Sequence, residues 1–470
     1  MGQTEPTPAA PARTGWASLG ELNRYQWFVF VICCLAWDLD CMDQQLFILA
    51  RDPAVMNLTG AASLTDDVKF TGTITTSVFM VGWAFGGIAF GILGDRLGRV
   101  KTLMWTIFLY ALFTGLSAFS LSKWDFMAYR LLTGMGVGGA FAASVVLLAE
   151  SVPERPRPFI LGLFQASSVL GNCGAALISM YLGSLEGSGV FSGDFWKPWR
   201  IMFVIGIVPG VLLVLVQTFL KEPERWLAQR AAQDETGQTP WRKFFGTLTD
   251  LLTAPKWGKH VLLGLILTGV GVVGLWGIGF FATTLVVKPL ETEFKAMGYA
   301  GTELKGLVTY WRGITSLVQN FGAFLGIFAF SWVTGIFGRK PTFAVFLVLA
   351  AVVTAGTFMF LRTRQEIFWM VPLMGASQLA LFGGYAIYLP ELFPTKYRST
   401  GTSFCYNAGR LVAAIGPFFL GVLTSTVFTE AHGYGTEGFR YAGATMCCVF
   451  LIGLLALPFL PETKGHPLPE

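Results

Sequence analysis

A chain of 470 residues with 53% hydrophobic, 15% aromatic and only 13% charged residues, at a mean hydropathy of +0.59, falls outside soluble globular usage and reads as a membrane protein. Its net charge of +5 does not imply nucleic acid, because basic residues in such a chain mark cytoplasmic loops. The cysteines Cys33, Cys34, Cys41, Cys173, Cys405, Cys447 and Cys448 sit in apolar segments as small hydrophobes, so neither a disulfide nor a metal site is expected.

Residues 1–24 are rich in Pro, Ala and Thr, have no apolar signal core, and are expected to form a disordered cytoplasmic tail. Crossing roughly 30 Å of hydrocarbon takes about 20 apolar residues. Twelve such segments follow: 26–50, 71–93, 102–122, 124–149, 158–183, 200–220, 261–286, 304–333, 342–361, 366–390, 400–427 and 440–460. The predicted organisation is a bundle over 25–220, a cytoplasmic linker over 221–260, a second bundle over 261–460 and a tail over 461–470. With loops assigned to alternate sides, the side of the amino terminus holds 19 Lys and Arg and the other 11, so both termini are expected in the cytoplasm.

The second half repeats the first weakly. LGR at 97–99 returns as FGR at 337–339, ESVPERPR at 150–157 as ELFPTKYR at 391–398, and PE at 223–224 as PE at 461–462, each after the equivalent span. The expected fold is all-α and polytopic, with twelve transmembrane helices in two parallel six-helix bundles.

On these residues the chain resembles the major facilitator superfamily over essentially its whole length. GILGDRLGRVK (91–101) is similar to that family's loop between helices 2 and 3, and TGIFGRK (334–340) is a second copy lacking the Asp and the first Arg. RLLTGMGVGGA (130–140), AESVPERPR (149–157), EPERWL (222–227) and PETKG (461–465) resemble the sugar- and organic-acid-porter branches. Helix 7, GVVGLWGIGFFATTL, lacks the paired Gln of the sugar branch, whereas YLPELFPTKYRSTGTSFCYNAGRLVAAIGP (388–417) resembles carriers of aromatic acids, sialate, lactate and organic anions. The resemblance implies gating roles for Asp95, Arg96 and Arg99. It also implies that a helix 1 aspartate, matched by Asp43, pairs with a helix 4 arginine, matched by Arg130, and takes up the coupling proton. Asp40 with Asp43 matches the D-x-x-D of the aromatic-acid branch.

Charges at membrane depth cost about 2.5–3.5 kcal/mol each on insertion scales and so face partners or cavities. At about 100° per residue, Asp40 and Asp43 lie about 60° apart while Asp38 points about 160° from Asp40. Asp43 and Arg130 each lie roughly 10 Å below the outer surface, matched in depth for an ion pair. Burial favours a protonated aspartate and a nearby arginine the carboxylate, so relative motion of the two offers a coupling device; a permanent structural pair is the alternative. Arg410, between Asn407 and Pro417, suits a bidentate carboxylate ligand or an interhelical bond. Arg312 lines the cavity or snorkels at the outer mouth. Glu150 and Arg157, with Glu391 and Arg398, are placed for inter-helix salt bridges at an inner gate, or are loop charge.

Uncharged polar residues Gln165, Asn172, Gln319, Asn320, Gln378 and Asn407 are candidates for substrate contact or for helix–helix bonding. Trp276 and Tyr385 are candidates for stacking on a ligand. No ATP-cradling loop and no Cys/His cluster occurs, so neither a cofactor nor enzymatic chemistry is expected. The composite expectation is a monomeric, multi-pass transporter of the plasma (bacterial inner) membrane, a proton-coupled symporter of an aromatic, hydroxy- or sugar acid. Sugar or polyol symport is the alternative, and a non-transporting receptor on the same fold a third reading.

Overall fold

Hydrocarbon offers no partner for backbone N–H and C=O groups, so a chain this apolar satisfies them internally, as helices. The computed structural model describes residues 19–61, 63–153, 156–191, 195–223, 227, 251–393 and 398–464. Twelve helices among them are long and apolar enough to span a membrane. They are α1 Arg24–Thr59, α2 Asp66–Leu97, α3 Arg99–Ser117, α4 Lys123–Ser151, α5 Arg157–Gly187, α6 Pro198–Phe219, α7 Pro255–Ala296, α8 Gly301–Phe337, α9 Arg339–Phe360, α10 Arg364–Glu391, α11 Arg398–Val422 (extended by a π-turn, Leu423–Val427) and α12 Gly438–Phe459. The even number puts both ends of the helical array on one side, here the proximal end; the other is distal.

Helix starts follow local chemistry. Asn23 with Gln26, Ser122 with Asp125 and Thr363 with Glu366 form capping boxes at α1, α4 and α10. Between α2 and α3 the chain turns at Gly98 (φ +110°), and between α8 and α9 at Gly338 (φ +98°), where an L side chain is strained.

The two halves pack alike. A Cβ on Gly82 or Gly86 of α2 would strike the Leu131 or Met135 carbonyl of α4, and one on Gly322 or Gly326 of α8 would strike the Pro372 or Ala376 carbonyl of α10. These glycines recur at an offset of 240 because both bundles need the same backbone-to-backbone approach, which membrane helices use in place of hydrophobic drive. The bundles meet along α2 with α11 and α5 with α8. One apolar core unites α1–α6 with Val272–Phe280 of α7 and Ala413–Ala414 of α11. The middle of α7 is irregular, π-helical over Val273–Ile278 and 3₁₀ over Gly279–Phe281, and this stretch leans on the first bundle.

Two boundaries depart most from expectation: α7, expected over 261–286, runs Pro255–Ala296, and α1 overruns its expected end. The first apolar segment, expected to end at 50, continues as helix to Thr59 and buries Arg51 and Asp52 completely or nearly so. Their burial is tolerated because both find partners in the other bundle.

Candidate functional site

Three acids of α1 separate as helical geometry demands. Asp38 is half-buried beside Ser167 of α5, where α1 and α5 approach so closely that a Cβ on Gly171 would strike the Asp38 carbonyl. Asp40 and Asp43 are fully buried on another face. Arg130 of α4, also fully buried, brings Nη1 to 4.0 Å from Asp43 Oδ2. That is longer than a charge-assisted hydrogen bond, and by geometry neither Nη1 nor the Asp43 oxygens make a hydrogen bond to any of the described residues. The rest of the guanidinium is fixed: Nε and Nη2 donate to Ser117 Oγ at 3.1 and 2.7 Å, Nη2 also to Thr133 Oγ1 at 3.0 Å, and the Phe203 ring lies 4.6 Å away. Helix α6 breaks beside this pair, at Gly206, where a Cβ would collide with Thr114 and come within 3.1 Å of Asp43 Oδ1.

Across the bundle interface stands Arg410 of α11, 3% exposed. Its Nη1 donates to Asn407 Oδ1 at 2.9 Å, and its Cζ lies 4.3 Å from the Trp83 ring and 4.4 Å from the Tyr406 ring. Asp40 is within its electrostatic reach, with Gln44 Nε2 donating to Asp40 Oδ2 at 3.3 Å. Among the described residues no carboxylate makes an ion pair with Arg410. Aromatic rings extend the wall: Trp83 meets Trp276 at 5.2 Å, Trp276 meets Phe280 at 4.8 Å, and Tyr406 meets Phe141 at 6.1 Å. The site therefore combines a buried guanidinium sandwiched by rings, a facing carboxylate and a second, loosely paired carboxylate three residues on.

Other residues picked from sequence are placed variously. Trp276 and Asn407 join the Arg410 region. Gln319 Nε2 donates to the Gly279 carbonyl at 3.1 Å, Gln378 Nε2 to Thr354 Oγ1 at 2.8 Å, Tyr385 to the Leu267 carbonyl at 2.8 Å, and Asn320 to the Ser316 carbonyl at 2.9 Å. Gln319, Gln378 and Tyr385 thus tie helices of the second bundle together, the first and last at the irregular part of α7 or near it, while the Asn320 bond stays within α8. Gln165 and Asn172 are half-buried on α5. Trp83, Tyr406, Phe141 and Gln44 were missed by sequence reasoning, because aromatic and amide residues in apolar helices carry no mark of which face meets the cavity.

The proximal end is laid out twice. Arg99 pairs with Glu150 at 3.1 Å while Glu222 accepts the backbone N–H groups of Arg99, Val100 and Lys101; Arg339 pairs with Glu391 at 2.8 Å while Glu462 accepts those of Arg339 and Lys340. Each set lies within one bundle, so these salt bridges fix helix ends. The side chains of Asp95, Arg96, Arg157 and Arg398 lie outside the described part of the structure, as do residues 1–18, 228–250 and 465–470 of the expected tails and linker.

At the distal end the structure reveals a network absent from the sequence reading. Asp52 of α1 accepts from Arg51 Nε at 3.0 Å, Arg312 Nη2 of α8 at 3.0 Å and Thr284 Oγ1 of α7 at 2.6 Å. Arg51 also donates to Thr76 and Thr284 and sits 4.0 Å over the Phe281 ring. Gln45 Nε2 bonds Ser316 Oγ at 2.6 Å nearby. Arg312, expected to snorkel or line the cavity, is instead a buried cross-bundle ion pair. The available signal was an Arg–Asp dipeptide closing helix 1 and an arginine in helix 8 with no acid on its own helix face. With Gly306 of α8 against Gly183 and Gly187 of α5, these contacts seal the distal end.

The family described as "Sugar (and other) transporter" matches residues 49–243. A putative metabolite transport protein of Haemophilus influenzae is 30% identical over 454 residues, 95% of this chain and 99% of that one. A probable 4-methylmuconolactone transporter of Cupriavidus pinatubonensis is 27% identical, covering 93% and 90%, and a cis,cis-muconate transport protein of Acinetobacter baylyi is 27% identical, covering 83% and 85%. Among solved structures, a bacterial homolog of the human lysosomal transporter Spinster, inward-facing and unoccupied, superposes with a TM-score of 0.69 at 19% identity, covering 93% of this chain and 98% of that one.

Proposed function

The chain belongs to the major facilitator superfamily, and on that premise we propose that it is a proton-coupled symporter of a small organic anion: an aromatic, hydroxy- or sugar acid. It is a multi-pass membrane transporter and not an enzyme; residence in a bacterial plasma membrane with both termini cytoplasmic, and action as a monomer, are part of the proposal.

The observation that carries the anion reading is Arg410: buried, ring-stacked, hydrogen-bonded to an amide and unpaired by any described carboxylate. A guanidinium left so in a dry cleft favours a ligand that supplies the carboxylate, gripped through two parallel N–H donors. Trp83, Tyr406 and Trp276 then offer faces to a planar or apolar body. The names of the muconolactone and muconate relatives agree with this class.

Asp43 and Arg130 supply coupling. A guanidinium close to a carboxylate favours its charged form, and withdrawal in a dry site favours the protonated form. Small displacement of α1 against α4 within the first bundle, across the 4.0 Å gap, therefore loads or releases a proton in the transport cycle. Asp40, between that pair and Arg410, links proton and anion, because a substrate carboxylate at Arg410 competes with it for the same positive charge.

Uptake into proteoliposomes of a panel of acids and neutral sugars, with and without an imposed pH gradient, tests the reading. Saturable, gradient-driven uptake of acids is expected. Uptake of neutral sugar with none of acid would overturn the anion assignment in favour of the sugar reading, which the family description also admits. Asp43→Asn is expected to lose gradient-driven accumulation while keeping exchange.

A further inference from the structure

At the distal rim of the second bundle, away from Arg410 and Asp43, a groove of about 620 Å³ opens between α7, α8, the α9–α10 turn and the start of α12. Four of its lining residues are basic, Lys288, Arg362, Arg364 and Arg440, against two acids, Glu293 and Glu437. Its other wall is aromatic, Trp311 with Phe368, whose rings meet edge to face at 6.0 Å.

The basic groups divide into structural and available ones. Arg440 is held, Nε on Glu437 at 3.1 Å and Nη1 on the Phe358 carbonyl at 3.0 Å. Arg364 is stacked 5.3 Å from Trp311 and bonds Glu293 through Nε at 2.6 Å, but neither of its Nη nitrogens has a hydrogen-bond partner among the described residues. Arg362 reaches Glu437 only at 3.5 Å and is 63% exposed. Arg362 to Arg364 occupy the turn where α9 leaves and α10 enters the hydrocarbon, and the lipid-facing residues Phe360, Phe368 and Trp369 begin within a turn of them.

The internal repeat separates what the fold requires from what is added. The cap Ser122–Asp125 is matched by Thr363–Glu366, and Arg200 bonding the Ala118 carbonyl is matched by Arg440 bonding the Phe358 carbonyl. The positions equivalent to Arg362, Arg364 and Glu437 are Leu121, Lys123 and Lys197, and Leu121 is 80% exposed. The first bundle carries a leucine where the second has Arg362 and a lysine where it has Glu437, so the repeated fold does not itself require the charges at these two positions.

We propose that the groove binds the phosphodiester headgroup of an anionic phospholipid in the leaflet at the distal end. Arg362 and Arg364 hold the phosphate, and an acyl chain lies along Trp311 and Phe368. Net positive charge at the level of the headgroups, forked donors that match phosphate oxygens and an aromatic wall running into the hydrocarbon are together the complement of such a lipid.

The test is native mass spectrometry of the full-length protein released from nanodiscs of equal parts phosphatidylglycerol and phosphatidylcholine. Preferential retention of phosphatidylglycerol is expected, falling about tenfold in Arg362→Gln with Arg364→Gln, and persisting in Lys123→Gln, the equivalent position of the first bundle. Arg362→Gln alone, at an exposed side chain, gives a partial loss in a folded protein. Equal retention of the two lipids, or retention unchanged in the double variant, overturns the proposal. Displacement of the lipid by inorganic phosphate at millimolar concentration also overturns it, since the site then reads a free anion.

Discussion

Asp52→Asn is the sharpest perturbation of the distal seal. Asp52 is the one acid shared by two buried guanidiniums, each 3.0 Å away, with Arg51 fully buried and Arg312 4% exposed. Removing an acid from such a site leaves uncompensated buried charge, at a cost of about 3–5 kcal/mol. Asparagine keeps one carbonyl acceptor, so the lower end, about 3 kcal/mol, is the working figure. The cost falls on the sealed form alone, because separation of the bundles exposes Arg51 and Arg312 to water. At about 1.4 kcal/mol per factor of ten, the balance between sealed and distally open forms moves roughly a hundredfold toward open. Spin labels on exposed Ser188, which caps the end of α5, and Thr302 of α8, read by pulsed dipolar spectroscopy in nanodiscs, report the separation directly. A new longer-distance population is expected in Asp52→Asn, together with slowed net transport. A distance distribution identical to that of the parent would refute the assignment of this network to the seal.

Three further outcomes follow from the same geometry. Gly306→Val forces a side chain against the Gly187 amide and the Gly183 carbonyl, an overpacking of about 1–3 kcal/mol; the same labels should show distal opening, with thermal stability little changed. Arg410→Lys keeps the charge but loses the fork and the stacking on Trp83 and Tyr406, so substrate affinity measured by binding is expected to fall at least about tenfold, with Arg410→Ala falling further. Glu462 is subject to burial, which raises its pKa, but the backbone N–H groups of Arg339, Lys464, Lys340 and Thr463 together outweigh this and hold it below the ordinary glutamate range. A depressed folded-state value stabilises the native form above the ordinary glutamate pKa and loses that stabilisation as pH falls through the folded value. Glu462→Gln should therefore melt lower than the parent near neutral pH and converge with it in acid; a constant difference across that range would contradict the capping role.

The apolar spans and the duplicated loops are written locally, in composition and periodicity, and were legible without coordinates, whereas the matched glycines gained their meaning only from the close packing of α2 on α4 and of α8 on α10. So was the division of the three acids of α1, since helical pitch alone sets their angles. The pairing of Asp43 with Arg130 was reachable from depth, because both lie a countable number of residues from a helix end. Tertiary structure alone decided that Arg51 and Asp52 belong inside a helix, that Arg312 closes on them from the other bundle, and that Trp83 and Tyr406 enclose Arg410. Each of these joins residues more than two hundred positions apart or turns on which face of a helix meets its neighbour, and a buried charge is stable only where its partner is delivered by the fold.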